Sequence, residues 1–282
     1  MNTVATIAET VKNAAHTLHP HSESPRLDAE LLLAKILSLP RSALIARGSE
    51  PVAMNDERAY AELILKRAEG VPVAYLTGSR EFWSLPLTVS AAVLVPRPET
   101  ELLVERALAL LPRDEDCSVL DLGTGSGAIA LSLAHERPRW AITGGDVSPA
   151  ALNIAAHNSQ ILKLRHVQWR LGSWFEPVPG ERFHLIVANP PYIAARDPAL
   201  KALSAEPATA LIAGATGLEA LRAIIAQAPK HLYARGWLAL EHGTTQAQDV
   251  AQLLRHQGFD SIRTYSDFSG RPRVTLGVHT QP

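Results

Sequence analysis

The sequence lacks the features of secreted disulfide-bonded proteins, of membrane proteins and of proteins that bind nucleic acid through a strongly basic surface. Its 282 residues include one cysteine, Cys117, which excludes an internal disulfide framework. No apolar run is long enough to span a bilayer, and no basic start precedes an apolar block, so we expect a cytoplasmic protein with no membrane partner. The formal net charge is −1, which provides no general attraction to a polyanion, and no stable nucleic-acid binding is expected.

Internal repeats, low-complexity tracts and clusters of metal-ligating side chains are also missing from the sequence. A repeat architecture is therefore excluded, and we predict no metal site. What is present is a chain with 46% hydrophobic and 20% charged residues, a composition typical of a soluble globular protein with a substantial core. We expect it to act as a monomer.

Three segments of the chain differ in their residue pattern. Residues 1–75 carry apolar side chains at helical spacing, beginning with a helix over 4–18, which predicts a small N-terminal helical domain. It contains no catalytic constellation; packing alone and docking of a protein partner both stay open, and substrate docking is the role we expect. Residues 76–96 are aromatic and β-branched, which predicts a linker or β-hairpin. Residues 97–282 form the third segment, the predicted catalytic domain.

Strands and helices alternate from Ser118 onward. This alternation predicts an α/β fold with a mostly parallel sheet and helices on both of its faces. A helix is predicted over 217–233, and the strands predicted over 259–265 and 273–279 should form a closing antiparallel pair. In such sheets ligands bind beyond the carboxyl ends of the strands, so the residues at those ends are the candidate site residues.

A glycine loop follows the first of these strands and contains Gly123, Thr124, Gly125, Ser126 and Gly127. Glycines between a strand and a helix let the backbone approach a ligand closely. The pattern alone is weak evidence, and its spacing differs from the Gly-x-Gly-x-x-Gly of a nicotinamide-dependent enzyme.

The next two strands of the predicted sheet end in polar and aromatic residues. Asp146 ends the second strand about twenty residues after the glycine loop, where a carboxylate can accept both hydroxyls of a ribose. Its alternative role is that of a turn residue at the start of a helix. Trp174 follows the third strand and could either flank an adenine ring or pack in the core.

The fourth strand stops at Asn189, which is followed by Pro190, Pro191 and Tyr192. Prolines cannot continue a central strand and they stiffen the backbone before them. The Asn189 side-chain carbonyl and the Pro190 backbone carbonyl can then converge on a planar NH2 group, while Tyr192 offers a ring for stacking. An ordinary turn after a strand is the alternative for an isolated Asn-Pro pair. The complete run favours a site that orients an amide or aromatic amine.

Two further stretches lie near this predicted site. Residues 193–216 form a long irregular segment, and loops of this length often cover a site or contact a substrate. Glu241 and His242 end the fifth strand, and we expect them near the cleft. His242 is interpreted as a structural group without a catalytic role.

The chain resembles the glutamine-N(5) methyltransferases of the HemK/PrmC family, which modify class 1 peptide chain release factors. The resemblance covers nearly the whole chain and rests on the glycine loop, Asp146, the Asn-Pro-Pro-Tyr run and the stretch Pro96-Arg97-Pro98-Glu99-Thr100-Glu101. It implies a Rossmann-like class I S-adenosylmethionine methyltransferase fold, with a small N-terminal helical domain and a linking β-hairpin. It also implies S-adenosyl-L-methionine as cofactor and S-adenosyl-L-homocysteine as product.

The resemblance assigns a role to each candidate residue. The loop from Gly123 to Gly127 would wrap the methionine part of the cofactor, Asp146 would hold the ribose and Trp174 would lie beside the adenine. The side-chain amide of the substrate glutamine, in a Gly-Gly-Gln loop, would be bound by Asn189, Pro190, Pro191 and Tyr192. Asn189 would also contact the cofactor. Asn189, Pro190 and Tyr192 would be the catalytic residues.

Two positions depart from the usual pattern of this family. Ser126 stands where Thr is more usual and keeps the hydroxyl. Gly144 and Gly145 precede Asp146 where an apolar pair is usual, and we expect them to weaken the end of that strand.

Other functions compatible with the same motifs stay open. One is a glutamine methyltransferase of a ribosomal protein, and another is an adenine-N(6) methyltransferase of nucleic acid, whose exocyclic amine the same four-residue run can hold. A third is a scaffold that binds the cofactor and docks a translation factor without turnover.

Overall fold

The computed structural model describes residues 5–280. By the density of their internal contacts the residues form two compact units, one of Met1–Ser79 with Ala202–Ala205 and one of Arg80–Lys201 with Glu206–Pro282. The domain boundaries and the docking role inferred from the sequence stay predictions.

The first unit is helical. Its elements are α1 (Ile7–Leu18), α2 (Pro25–Leu37), α3 (Arg41–Ala46), α4 (Met54–Ala68) and α5 (Val73–Thr77). The predicted start of the first helix at Val4 lies outside the described residues. Within them α1 begins at Ile7 because Thr6 and Glu9 form a capping box, with Glu9 N donating to Thr6 Oγ1 (3.3 Å) and Thr6 N donating to Glu9 Oε2 (2.9 Å).

Apolar side chains from α1, α2 and α4 form the core of this unit, where Leu18, Leu32 and Leu33 are fully buried. The Tyr60 hydroxyl enters this core and donates to the carbonyl of Ala29 (2.9 Å). The short helices α3 and α5 were not predicted, because one or two turns are too few to establish a helical period.

The second unit contains a small hairpin and a large sheet. The hairpin strands are β1 (Ser79–Phe82) and β2 (Leu85–Thr88), and the sheet strands are β3 (Ser118–Leu122), β4 (Ala141–Asp146), β5 (Gln168–Leu171), β6 (Phe183–Ala188), β7 (Leu232–Glu241), β8 (Phe259–Ser266) and β9 (Pro272–His279). The helices are α6 (Glu101–Leu110), α7 (Ala128–Glu136), α8 (Pro149–Ile161), α9 (Ala208–Leu211), α10 (Glu219–Gln227) and α11 (Ala247–His256).

The sheet has the strand order β5-β4-β3-β6-β7-β9-β8. Strands β3 to β7 are parallel, and β9 pairs antiparallel with both β7 and β8. The predicted α/β fold with a closing antiparallel pair is therefore confirmed. The direction of winding reverses between β3 and β6, so the segments after these two strands flank a crevice of the kind in which α/β proteins bind ligands.

The sheet is covered on both faces by apolar side chains. One cluster joins α6 and α7 to strand residues such as Val119 and Leu185, and the other joins α10 and α11 to residues such as Leu120 and Ile186. The strands alternate between the two clusters because successive side chains point to opposite faces. This rigid layer holds the strand ends in place.

Strand β4 does not weaken at Gly144 and Gly145, so that prediction was wrong. The strand pairs with β3 up to Gly145 and with β5 up to Asp146. A Cβ atom at Gly144 would lie 2.5 Å from the Trp169 ring. The glycine thus makes room for an aromatic side chain of the neighbouring strand, and that packing compensates for the weak strand propensity of glycine.

The helix predicted over 217–233 is shorter than expected. It spans Glu219–Gln227, and after a 3₁₀ turn at Ala228–His231 the chain enters β7 at Leu232. Pro229 explains the early end, because proline has no N–H for the helical ladder and restricts the residue before it. In residues 5–280 no helix is both long enough and apolar enough to cross a membrane.

Candidate active site

A pocket opens at the carboxyl ends of the parallel strands of the second unit. Six of the predicted site residues line it: Gly123, Gly125, Asp146, Trp174, Asn189 and Pro191. The other predicted residues lie behind this surface or beside it: Thr124, Ser126, Gly127, Pro190 and Tyr192. Residues 92–94 and part of 207–210 complete the lining. The fold therefore brings the glycine loop, the second and third strand ends and the Asn-Pro-Pro-Tyr run to one place.

The glycine loop takes a conformation that depends on its glycines. Gly123, Gly125 and Gly127 have φ angles of 71°, 57° and 82°, in the left-handed region that other residues rarely adopt. The amides of Gly123 and Thr124 donate to the Gly145 carbonyl at 2.9 and 3.0 Å. The loop is thereby fixed against β4. A Cβ atom at Gly125 would have no neighbour within 4 Å, which leaves open space on the pocket side.

Asp121 lies under this loop and is fully buried. Its Oδ2 accepts from the Thr124 hydroxyl (2.6 Å) and from Ala130 N (3.2 Å), while its Oδ1 has no hydrogen-bond partner. Burial raises the pKa of Asp121 to about 7, and the nearby Asp146 carboxylate contributes to the increase. The raised pKa means that the neutral form is favoured, and only the ionised form of Asp121 places negative potential beneath the loop, where a cationic group would in turn stabilise it.

Asp146 has the turn role that the sequence left open, and it also lies on the pocket, where ribose binding stays a prediction. Its Oδ1 accepts from Ser148 N (2.9 Å), as expected of a turn residue at the start of α8. Its Oδ2 accepts from Gly125 N (2.9 Å), and the residue lines the pocket. A carboxylate oxygen has more than one lone pair, so Asp146 can still accept a ligand hydroxyl.

Trp174 has a left-handed backbone (φ 48°) and also lines the pocket. Its ring is 3.8 Å from the position of a Cβ at Gly123 and packs partly against the second core cluster. Both predicted environments, core packing and a wall of the pocket, are therefore found for this residue.

Asn189 follows β6, and a hydrogen bond fixes the nitrogen end of its side-chain amide. Its Nδ2 donates to the Thr100 hydroxyl (3.0 Å). No residue in the described range 5–280 donates to its Oδ1. Asn189 therefore presents a free acceptor in a pocket-lining side chain, and its role in holding an NH2 group stays a prediction.

Tyr192 is held through its hydroxyl and its backbone. The hydroxyl lies 3.4 Å from Glu241 Oε1, and the carbonyl accepts from Gln246 Nε2 (3.0 Å). Burial raises the pKa of Tyr192, and the Glu241 carboxyl raises it further. Tyr192 thus stays protonated and acts as a neutral hydrogen-bond donor.

Comparisons with known proteins identify the family of the chain. Residues 9–78 match the family described as PrmC N-terminal domain, and residues 98–217 match the family described as Methyltransferase small domain. The release factor glutamine methyltransferase of Xylella fastidiosa (strain Temecula1) is 49% identical over 89% of this chain and 92% of its own. The Escherichia coli (strain K12) protein of that name is 44% identical over 92% of this chain and 94% of its own.

The chain belongs to the release factor glutamine methyltransferase family. This confirms the resemblance on which the sequence analysis relied. A solved ribosomal protein L11 methylase from Lactobacillus delbrueckii subsp. bulgaricus has the same fold, with a TM-score of 0.52, 19% identity and coverage of 68% of this chain and 84% of its own. At that identity the likeness concerns the fold alone.

Three residues that contact the predicted site residues, and one that adjoins the pocket, were given no role from the sequence. The three are Thr100, Glu241 (expected near the cleft) and Gln246, and the fourth is Glu206. Gln246 receives a hydrogen bond from Gly243 N (2.8 Å) and donates to the carbonyls of Tyr192 and Gly217. Thr100 lay within a stretch that carried the resemblance, which was the one available signal. The others are polar residues without a motif, so only their positions in the fold reveal them.

Glu206 joins the stretch before α6 to the segment that was predicted as a long loop. It is buried and accepts from Val95 N (3.0 Å), and it forms an ion pair with Arg97. The following residues Pro207, Thr209 and Ala210 line the pocket. This segment therefore contributes to the site as predicted for a long loop, although part of it is the short helix α9.

His242 is buried at the end of β7 and its Nε2 lies 2.8 Å from the Thr275 hydroxyl. Burial lowers the pKa of His242, so it stays neutral, in agreement with a structural role. Among residues 5–280 there is no group of three or more His, Cys, Asp or Glu side chains that could hold a metal ion.

Proposed function

We propose that this member of the family transfers a methyl group from S-adenosyl-L-methionine to the side-chain amide nitrogen of the glutamine in the Gly-Gly-Gln loop of class 1 peptide chain release factors. The product is S-adenosyl-L-homocysteine. The names of its relatives support the substrate class. The single observation that carries the proposal is the free Oδ1 of Asn189, an acceptor for an NH2 group, in the same pocket as the glycine loop.

The pocket fits the cofactor in three respects. The glycine loop has open space on its pocket side, Asp146 offers a carboxylate to hydroxyl groups, and Asp121 in its ionised form favours a cationic group. We assign the loop residues Gly123 to Gly127, Asp146, Trp174 and Asn189 to cofactor binding. When bound, the sulfonium supplies a methyl group that its positive charge has already activated.

The protein's own task is to orient the amide and exclude water. An amide nitrogen is a poor nucleophile because its lone pair is delocalised. Asn189 Oδ1 and the Pro190 carbonyl accept the two amide hydrogens, while Pro191 and Tyr192 hold the plane of the group. The lone pair is thereby directed at the methyl carbon for in-line transfer. The amide nitrogen, held in this way, would accept the methyl group that the bound cofactor supplies, with the sulfur leaving as the neutral thioether, and would then release one proton to solvent.

We further propose that the protein acts as a cytoplasmic monomer in translation termination and that it forms no stable complex with nucleic acid. The near-neutral net charge supports the last point, because a nucleic-acid-binding protein usually carries a basic surface.

A methylation assay with labelled S-adenosylmethionine tests the proposed reaction. The two substrates are a class 1 release factor and the same factor with its loop Gln replaced by Ala, and peptide mass spectrometry locates the label. Label on the loop Gln of the unmodified factor alone is the expected result. Label on both factors, or cofactor binding without label on either of them, would contradict the proposal; a ribosomal protein and nucleic acid would then be assayed as the alternative substrates.

Asn189→Ala tests the catalytic role of the free amide oxygen. We expect turnover to fall by at least about a hundredfold, because the substrate amide loses an orienting acceptor, while cofactor affinity changes much less. Asn153→Ala is the matched control, since Asn153 is exposed on α8. Normal turnover in Asn189→Ala would exclude the role given to Asn189.

A further inference from the structure

Asn158 is a buried side chain of α8 that joins separate parts of the chain around the pocket. Only 1% of the residue is exposed. Its Oδ1 accepts from Thr88 N (2.8 Å), and its Nδ2 donates to the carbonyls of Thr88 (3.0 Å) and Ser126 (2.9 Å). Thr88 is the last residue of β2, and Ser126 belongs to the glycine loop. One side chain therefore connects the hairpin, the glycine loop and α8.

The three hydrogen bonds require an acceptor and two donors on one short side chain. The backbone N–H of Thr88 can only donate and the two carbonyls can only accept, so they leave one orientation for the Asn158 amide. An ionised aspartate would place an acceptor against both carbonyls, and an aliphatic residue would leave three buried backbone groups unpaired. Because every hydrogen-bonding group of the amide has a partner, the connection is rigid as well as specific.

Asn158 completes the anchoring of the glycine loop. The start of the loop is fixed to β4, where Gly123 and Thr124 donate to the Gly145 carbonyl. Ser126 lies near the other end of the loop, and its carbonyl is held by Asn158. Glycine-rich backbone has more conformational freedom to lose than other backbone. The loop therefore needs a contact at each end to keep the shape that faces the pocket.

The same side chain holds a second part of the pocket lining. Residues 92–94 line the pocket and follow Thr88 by a few positions, with Val89 and Val93 buried along the way. The two hydrogen bonds between Asn158 and the Thr88 backbone fix the point from which this stretch departs. The helix that carries Asn158 begins at Pro149, directly after the pocket-lining residues 146–148. Asn158 thus ties together three segments that surround the same space.

We propose that Asn158 is a positioning residue that holds the glycine loop and residues 92–94 in the arrangement that binds S-adenosyl-L-methionine. This inference rests on the proposed function and names a residue on which the affinity for its cofactor depends. Without the link the loop would adopt the binding arrangement for only a fraction of the time, and the apparent dissociation constant would rise in inverse proportion to that fraction. Once the cofactor is bound the loop is in place, so the transfer step itself should change little.

Asn158→Ala and Asn158→Asp test this link. The alanine variant removes all three hydrogen bonds, and the aspartate variant keeps the shape but opposes the two carbonyls. In both we expect the dissociation constant of S-adenosylhomocysteine, measured by calorimetric titration, to rise by about tenfold or more. The KM for S-adenosylmethionine should rise with it, while kcat at saturating cofactor should stay within about threefold. A merely structural role would lower the melting temperature and leave KM unchanged.

Ser159→Ala is the matched control, since it removes a buried hydrogen bond one residue along the same helix. Ser159 is 3% exposed, and its hydroxyl donates to the carbonyl of Leu164 (2.8 Å), which follows α8. This bond involves neither the glycine loop nor β2. We expect a lower melting temperature in Ser159→Ala, with the dissociation constant and KM of the unmodified protein.

Hydrogen exchange in the unmodified protein decides the question if neither Asn158 variant folds, as judged by circular dichroism. The Thr88 N–H has Asn158 Oδ1 as its acceptor, although Thr88 is not among the residues that line the pocket. Saturating S-adenosylhomocysteine should slow its exchange more strongly than that of Leu164 N–H, which donates to the Ser159 carbonyl (2.9 Å). Equal slowing at the two amides would mean that cofactor binding and the Asn158 link are not coupled.

Two further results would overturn the inference. One is an unchanged dissociation constant and KM in either folded Asn158 variant, and the other is an equal loss of affinity in Ser159→Ala. Failure of the proposed function is a separate result, because it appears as a lack of label on the release factor with the unmodified protein. The calorimetric comparison of the variants does not depend on that label.

Discussion

Replacement of Gly144 by alanine tests how tightly β4 packs against its neighbours under the glycine loop. The added Cβ would lie 2.5 and 2.7 Å from two carbons of the Trp169 ring and 2.9 Å from Thr124 Oγ1. Carbon atoms in contact are normally about 3.5–4.0 Å apart, so the overlap with the ring is about 1 Å. An approach this close requires the ring or the strand to shift.

The expected cost follows from this overlap. Overpacking a dense core costs about 1–3 kcal/mol, which for a unit of this size corresponds to a decrease in melting temperature of roughly 2–12 °C. The new methyl group also displaces the Thr124 hydroxyl, whose 2.6 Å hydrogen bond to Asp121 stabilises the base of the glycine loop. We therefore expect weaker binding of S-adenosylhomocysteine in addition to the lower melting temperature.

Gly145→Ala is the control for this experiment, since it makes the same change one residue along the same strand. A Cβ there would have its nearest neighbours at 3.9–4.0 Å, which is ordinary contact. Melting followed by circular dichroism and calorimetric titration of S-adenosylhomocysteine measure both effects. Equal melting temperatures for the two variants would refute the packing argument.

Three further variants probe the site. Asp146→Ala should weaken S-adenosylmethionine binding by roughly tenfold or more, because the Gly125 amide loses its acceptor (2.9 Å) together with any ligand hydroxyl; calorimetric titration measures it. Gln246→Ala removes the donor to the Tyr192 carbonyl (3.0 Å) and should lower turnover about tenfold with little change in cofactor affinity, as steady-state kinetics would show. Glu241→Gln should become more stable than the unmodified protein as pH rises from 5 to 8. Burial raises the pKa of Glu241 from 4.5 to about 7, so the folded state binds its proton more tightly than the unfolded state and loses stability as the carboxyl ionises. The full effect is of the order of 3 kcal/mol, and denaturant unfolding at the two pH values measures the difference.

Each of these results has a clear contrary outcome. Unchanged cofactor affinity in Asp146→Ala would remove the residue from the cofactor site. Unchanged turnover in Gln246→Ala would mean that the Tyr192 backbone is held by other contacts. A stability difference between Glu241→Gln and the unmodified protein that does not vary with pH would show that the carboxyl does not titrate in this range.

The strand ends were predictable because the signals that define them are local. The apolar run before Asn189 and the two prolines after it indicate where β6 stops, and the glycine loop indicates where β3 gives way to α7. Alternation of strands and helices then predicts a parallel sheet. In such a sheet strand ends share one edge, so the predicted residues were expected to meet.

The error at β4 has the opposite origin. Two adjacent glycines indicate a weak strand when only their own propensity is considered. The Trp169 ring that fills the space above Gly144 comes from the next strand, and no local pattern indicates which neighbour occupies that space. The prediction failed because the strand propensity of a residue does not describe how that residue packs against a neighbouring strand.

The sequence by itself determined the order of the elements, the edge of the sheet that holds the site and the chemistry of its most specific residues. These depend on periodicity, on glycine and proline, and on which side chains follow each strand. Tertiary structure alone decided that Thr100 meets Asn189 from 89 residues away, that Glu241 is buried behind Tyr192 and that the Asn189 oxygen is left free. The physical reason is that hydrogen-bond direction and desolvation depend on the atoms that surround a group in space, and those atoms belong to distant parts of the chain.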